Sequence, residues 1–277
     1  MATGLSICAL VCLATGLGVP LYGVDSPDYL TLGVKQLRTG ATFAAARTLR
    51  LAVNQGDDRA HLYLASAYFV LNQHQLFATE IAAAKIAAPS DPEPWYVEGR
   101  YLFEAHGRRE AAVAQFQHAL SKDPEHIKSR CYLGIAFREM HLAKEAEQQL
   151  VQAIQLAESR KLRFYLPYQT LAEQLLDLNR LDEAKGYIES AVRIAPEVAL
   201  NHFLLGKIAW AQSNASHSNS LQAIAALRKT IEIDEAFIEA RYLLARILNK
   251  QGDVAGSAEQ LKEFSALKEI FGAGRLH

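Results

Sequence analysis

Residues 92–124 read PEPWYVEGRYLFEAHGRREAAVAQFQHALSKDP, and this stretch decides the fold class. Apolar residues recur at three- and four-residue intervals in both halves, which predicts two amphipathic helices of roughly 12–15 residues each. The positions that carry this pattern are Trp95, Gly99, Leu102, Ala112, Phe116 and Ala119. Pro124 ends the second helix, because proline lacks a backbone N–H and clashes with the preceding turn. The stretch therefore predicts an antiparallel pair of helices, called helix A and helix B below.

The same pattern returns along the chain at intervals of 32 to 39 residues, most clearly over residues 127–158 and 165–196. A small residue recurs in the middle of helix A, at Gly33, Ala65, Gly99, Gly134, Ala172, Gly206 and Ala245. A matching position near the start of helix B holds Ala45, Phe77, Ala112, Ala146, Ala184, Ala223 and Ser257, where Phe77 and Ser257 depart from the small-residue pattern. One helix pair cannot bury both of its faces, so we expect neighbouring pairs to stack.

These residues resemble the tetratricopeptide repeat, in which W-x2-L-G-x2-Y is followed by Ala, an aromatic or aliphatic residue, Ala and Pro. The resemblance covers residues 26–271 and implies an all-α, right-handed superhelical solenoid of antiparallel helix pairs. It divides this part of the chain into seven units, at about residues 26–57, 58–91, 92–126, 127–160, 165–198, 199–237 and 238–271. Residues 272–277 then form a short tail.

Residues 1–25 are predicted to be separate from the repeats. Residues 1–24 carry no charge, and residues 5–14 (LSICALVCLA) are followed by small residues and by Pro20. This order is typical of a secretory signal peptide, although no Lys or Arg precedes the apolar run. An uncleaved anchor over residues 5–24 is one alternative, and a plain N-terminal segment that caps the first unit is another. We therefore expect an exported, periplasmic protein, with a membrane-anchored or cytoplasmic protein as the alternatives.

Composition and motifs indicate a protein that is not an enzyme. Lys and Arg number 29 against 30 Asp and Glu, so the formal net charge of −1 gives no general reason to bind nucleic acid. Cys8, Cys12 and Cys131 lack the spacing of a disulfide framework or a zinc site. The sequence contains no metalloprotease, P-loop, nucleophile-elbow or dinucleotide-binding motif. We accordingly expect no catalytic residue, no metal and no cofactor.

The concave face of the solenoid is the candidate site. In the family that the chain resembles, helix A lines this face through repeat positions 2, 5, 9, 12 and 13. Carried over unit by unit, those positions imply a peptide-binding groove of aromatic and basic side chains, namely Phe69, Tyr96, Arg100, Phe103, Arg138, Phe203, Lys207, Trp210, Tyr242 and Arg246. Tyr, Trp and Arg dominate binding energies at interfaces. The alternative is that some of these aromatic residues only pack on the next helix A. Cys131 also falls at such a position, where we expect a small packing residue rather than a reactive thiol.

The resemblance implies a non-catalytic scaffold or adaptor that binds an extended peptide or a partner protein in its concave groove. A leader followed only by repeats is similar to the layout of bacterial envelope-assembly and secretion factors, which is an analogy of fold. The alternative function is a cytosolic regulatory subunit of a multi-protein enzyme complex. In each case the partner is a protein or peptide and not a nucleic acid. Membrane contact is expected only through residues 5–24, if they remain uncleaved.

Overall fold

The computed structural model describes residues 28–212 and 217–271, so the predicted leader and the tail at 272–277 lie outside the described residues. Within these ranges the chain forms fourteen α-helices and no strand. They are α1 (Tyr29–Arg38), α2 (Thr42–Asn54), α3 (Ala60–Val70), α4 (His74–Ala87), α5 (Glu93–Glu104), α6 (Arg109–Lys122), α7 (Ile127–Glu139), α8 (Ala143–Ser159), α9 (Leu166–Asp177), α10 (Leu181–Ile194), α11 (Ala199–Ala211), α12 (His217–Ile233), α13 (Ile238–Lys250) and α14 (Val254–Phe271). None of these described helices is both long enough and apolar enough to span a membrane.

The helices alternate between two layers. Each odd-numbered helix packs against the even-numbered helix that follows it, which makes the odd-numbered helices A and the even-numbered helices B. Consecutive A helices also contact each other from α1 through α11, as in α5 against α7 and α7 against α9. The A helices therefore form the inner layer of the solenoid. Helices α11 and α13 approach each other less closely than the other consecutive A helices do.

Small residues set the distance between the two helices of a pair. A Cβ atom added at Gly99 would lie 2.5 Å from the Phe116 ring, and one added at Gly134 would lie 2.7 Å from Leu150. Gly33 against Leu49 and Gly206 against Leu227 repeat the same arrangement. Glycine in mid-helix costs up to about 1 kcal/mol relative to alanine, and this close packing compensates for it. The predicted burial of three small residues on the B helices is confirmed, because each is 0% exposed: Ala112, Ala146 and Ala184.

The connections from helix A to helix B share one turn geometry. Six of them lie within the described residues, and each contains one residue with positive φ: Gly40, Asn72, Gly107, His141, Asn179 and Gly252. In five of the six the following backbone N–H donates to a carbonyl five residues back, as from Leu142 to Phe137 at 2.9 Å, whereas Arg108 donates six residues back, to Leu102. This hydrogen bond is the mark of the Schellman motif, which satisfies helix carbonyls that would otherwise lack a donor. The sharp turn places helix B back along helix A in every such unit.

Candidate functional site

The ten predicted groove residues all lie on A helices and therefore on the inner layer. They are Phe69 on α3; Tyr96, Arg100 and Phe103 on α5; Arg138 on α7; Phe203, Lys207 and Trp210 on α11; Tyr242 and Arg246 on α13. The structure does not join them into one continuous basic strip. Burial removes one of them from the surface, and carboxylates already neutralise two of the four basic residues.

Tyr96 is a packing residue and not an open contact. The residue is only 7% exposed, and its ring lies edge-on to that of Tyr132 on α7, with 5.5 Å between the centroids. Burial raises the pKa of the Tyr96 hydroxyl, which stays protonated. The expectation that Tyr96 lines an open groove is therefore wrong, because the next A helix covers it. Phe103 is half-buried and packs against the same apolar cluster.

Arg100 lies among aromatic rings and is held by a carboxylate on its own helix. Its Nε and Nη2 atoms donate to the two carboxylate oxygens of Glu104, at 2.8 and 2.9 Å. The guanidinium carbon lies 5.6 Å from the centroid of the Phe69 ring and 5.2 Å from that of Tyr132. Such distances are typical of cation–π contact. A shallow groove of about 360 Å³ runs beside Phe69 and Arg100, but the charge within it is balanced.

The centre of the concave face is closed by ion pairs between neighbouring units. Arg138 Nη1 lies 3.0 Å from a carboxylate oxygen of Glu173 on α9, and Nη2 lies 3.1 Å from one of Asp177. One guanidinium is therefore shared between two carboxylates. Glu173 and Asp177 together outweigh the single positive charge of Arg138, so this part of the face is neutral to acidic rather than basic.

A second opening on the inner layer lies where α11 and α13 diverge, beside α9. It is a cavity of about 370 Å³. Its apolar wall is formed by Leu200, Phe203, Leu204 and Phe237. Its charged wall is formed by Glu173, Lys207, Asp234 and Glu239. The rings of Phe203 and Phe237 lie 4.9 Å apart between centroids, and the Lys207 ammonium lies 5.6 Å from the Phe203 ring.

One polar atom at this cavity lacks a hydrogen-bond partner. The Oε1 atom of Glu239 is buried and accepts no hydrogen bond within the described residues. A buried acceptor without a donor costs roughly 1–3 kcal/mol. Lys207 makes no ion pair within the same residues. The cavity thus offers carboxylates and one cation beside two aromatic rings.

Trp210 and Lys250 form a contact across two A helices. The Lys250 ammonium lies 4.7 Å from the centroid of the Trp210 ring, and Trp210 is half-buried while Lys250 is exposed. Phe203, Lys207 and Trp210 are spaced four and three residues apart on α11, so they share one helix face. This arrangement continues the aromatic and basic character of the cavity toward α13.

Tyr242 and Arg246 lie at the C-terminal end of the solenoid. Tyr242 is 45% exposed, and the Arg246 guanidinium carbon lies 5.8 Å from its ring centroid. Both line a groove of about 430 Å³ together with Val254 and Leu261 of α14. In the inner units the corresponding surface is covered by the next A helix. The pair therefore belongs to an end face rather than to the closed part of the groove.

Sequence reasoning missed several residues that shape this site. Glu104 and Asp177 fall at repeat position 13, so the position rule itself could have identified the carboxylates that neutralise Arg100 and Arg138. Phe237 precedes α13 and lies outside all of these positions, so no signal in the repeat pattern pointed to it. Across the described residues, His, Cys, Asp and Glu side chains form no group of three or more that could hold a metal ion.

Comparison with known proteins identifies the fold. No family model and no curated protein matches the chain. Among solved structures, PilF from Pseudomonas aeruginosa superposes with a TM-score of 0.66 at 16% identity, over 78% of this chain and 93% of PilF. PilW, a widely conserved type IV pilus biogenesis factor, gives 0.63 at 19% identity, over 79% of this chain and 96% of PilW. YrrB, a TPR protein with an unusual peptide-binding site, gives 0.52 at 16% identity, over 68% of this chain and 92% of YrrB.

These similarities and the fourteen helices define the class: the protein is an all-α helical-repeat solenoid of the tetratricopeptide type. The prediction of the fold class is confirmed. At 16 to 19% identity the comparisons establish the fold alone. Function has to be argued from the site.

Proposed function

We propose that the protein is a non-catalytic scaffold that binds an extended segment of a partner protein along the C-terminal half of its concave face. The observation that carries the proposal is the cavity between α11 and α13, which combines paired aromatic rings with a lysine that makes no ion pair in the described residues. Cavities that are mostly apolar and hold a few convergent polar groups are typical of binding sites. YrrB, a TPR protein with a peptide-binding site, supports a peptide as the class of ligand.

The chemistry of the cavity describes the segment that would fit. An apolar or aromatic side chain would pack against Phe203 and Phe237 and bury their exposed surface. An acidic side chain would pair with Lys207 or Lys250, neither of which makes an ion pair within the described residues, although Glu173, Asp234 and Glu239 also line the cavity. The central part of the face contributes less, because Arg138 is already neutralised.

Site-specific photo-crosslinking tests the proposal. A photo-reactive amino acid is placed at position 207 in the cavity and, as the control, at position 144, which is exposed on α8 in the outer layer. We expect one partner to be crosslinked from position 207 and none from position 144. Phe203→Ala should weaken recovery of that partner about 10-fold or more, since a central aromatic anchor carries much of the binding energy. Equal crosslinking from both positions, or recovery unchanged by Phe203→Ala, would reject the groove.

We further propose that the protein acts in the bacterial envelope. The apolar, uncharged residues 5–14 support export, and PilW, a type IV pilus biogenesis factor, shares the fold. Mass spectrometry of the N-terminus of protein purified from its own cell tests this. A mature chain that begins between residues 15 and 26 supports signal-peptide cleavage, whereas intact Met1 in the soluble cytoplasmic fraction would exclude it.

A further inference from the structure

The first helix pair differs in charge from the rest of the solenoid. Its two helices contain four basic residues and no acidic one, whereas residues 238–271 of the last pair contain five of each. The basic residues are Lys35 and Arg38 on α1 and Arg47 and Arg50 on α2, and all four are exposed. None of them makes an ion pair within the described residues. The overall net charge of −1 conceals this local excess of positive charge.

Acidic residues next to this pair are mostly engaged elsewhere. Asp28 caps α1 by accepting the backbone N–H of Thr31 at 2.9 Å. Asp57 accepts from Arg59, whose Nη2 atom lies 2.8 Å from the carboxylate. Asp58 remains exposed, at the end of α2 that is farther from Phe43. The four basic side chains are therefore exposed, and none has a carboxylate partner within the described residues.

Helix α2 turns one amphipathic face outward. Phe43, Arg47, Arg50 and Leu51 follow the spacing of a single helix face, away from the buried Ala45 and Leu49. Phe43 is 76% exposed and Leu51 is 46% exposed, so two apolar side chains stand beside the arginines. Arg47, Arg50 and Leu51 line the same shallow groove. Membrane-surface helices combine basic side chains with exposed Phe and Leu in this way.

We infer that this outward face of α2 binds the anionic headgroups of a lipid bilayer. The arginines would pair with lipid phosphates, and Phe43 and Leu51 would enter the boundary between headgroups and acyl chains. A second copy of the chain fits less well: two first pairs would repel each other, and the last pair carries no excess of negative charge. The inference is independent of the groove, which lies at the other end of the solenoid.

Vesicle co-sedimentation of the full chain tests this inference. One set of vesicles is neutral phosphatidylcholine, and the other also contains anionic phosphatidylglycerol. The variant combines Arg47→Glu with Arg50→Glu. We expect its binding to anionic vesicles to fall by more than about 30-fold, because the loss of two basic residues alone gives that factor and the two new carboxylates are also repelled by the surface. Binding to neutral vesicles measures insertion of the apolar residues 5–14, and the variant should bind these vesicles as the wild type does. High salt should weaken the wild-type protein on anionic vesicles but not the variant.

A matched control separates a surface-specific effect from one of total charge. Lys122→Glu with Lys144→Glu changes the charge equally, at exposed residues of α6 and α8 that make no ion pair in the described chain. This control should bind anionic vesicles as the wild type does. The inference is overturned if the control loses as much binding as the variant, or if the variant binds normally. It is also overturned if the variant changes only the oligomeric mass in solution, which would identify the face as a contact between copies.

Discussion

The guanidinium of Arg138 on α7 lies 3.0 Å from the carboxylate of Glu173 on α9. These residues belong to consecutive units, so the contact ties two A helices together across the inner layer. Asp177 at 3.1 Å completes the arrangement. Two groups that the repeat pattern assigns to ligand binding thus bind each other instead. The centre of the concave face separates the aromatic cluster around Arg100 from the cavity on α11 and α13.

Removing this ion pair should change stability only slightly. Arg138 and Glu173 are both about one-quarter to one-third exposed, so solvent screens their attraction. We expect Arg138→Met to lower the free energy of unfolding by about 0.5–1 kcal/mol, as for other partly exposed pairs. Urea unfolding of Arg138→Met, Glu173→Gln and the double variant measures the pairwise coupling directly. A coupling energy indistinguishable from zero would mean that the Arg138–Glu173 ion pair does not stabilise the packing of the two units.

Two glycines in helix interiors should respond oppositely to the same substitution. At Gly99 an added Cβ would lie 2.5 and 2.7 Å from ring atoms of the buried Phe116, so Gly99→Ala should destabilise the protein by about 1–3 kcal/mol. At Gly186 on α10 no atom lies within 4 Å of the added Cβ, so Gly186→Ala should stabilise it by up to about 1 kcal/mol. Thermal melts of both variants check the prediction. Shifts of the same sign would show that helix propensity, and not the A–B distance, decides the outcome.

Cys131 should be unreactive in the folded protein. It is 0% exposed within the central apolar cluster, and burial raises the pKa of its thiol. Because the thiolate is the reactive form, iodoacetamide should modify Cys131 more than about 100-fold more slowly in the native protein than in urea. Peptide mass mapping separates Cys131 from the leader cysteines. Rapid native labelling would indicate local opening between α7 and α8.

The fold was predictable because repetition multiplies a weak local signal. A single small residue such as Ala146 says little, but seven helix pairs in phase require that each unit pack in the same way. The burial of Ala146 and the fit of Gly134 against Leu150 follow from that requirement. Burial at Tyr96 was not predictable in the same manner, because it depends on the bulk of Tyr132 in the next unit. The repeat position of a residue gives the direction of its side chain but not the size of the next unit's side chains that cover it.

The charge pattern of the site was predictable only in part. Arg100 and Glu104 are four residues apart on one helix, a spacing that favours an ion pair. The pairing of Arg138 with Glu173 joins separate units and depends on how far the stack is rotated between them. The cavity beside Phe237 arises where α11 and α13 diverge, and no residue pattern reports that divergence.

The last prediction concerns the partner crosslinked from position 207. Lys207→Glu should slow its association, because a reversed charge opposes the approach of an acidic segment, and the effect should shrink at high salt. Trp210→Ala should weaken binding by about 2 kcal/mol or more, chiefly through faster dissociation. Because Trp210 is half-buried, its removal could also destabilise the fold, so the melting temperature of the Trp210→Ala variant is measured as well. Lys250→Met removes the other side of the same contact at an exposed residue, where the substitution should not affect stability.

The control for these variants is Lys144→Glu, at an exposed lysine on the outer layer. Surface plasmon resonance with the isolated partner gives association and dissociation rates for the wild-type protein and for the four variants. If Lys207→Glu and Lys144→Glu slow association equally, the effect comes from total charge and the cavity does not steer the ligand. If Trp210→Ala and Lys250→Met both leave dissociation unchanged, the partner ends its contact at Phe203. In that case the bound segment would run from the cavity toward α9, where Glu173 and Asp177 would favour a basic rather than an acidic end.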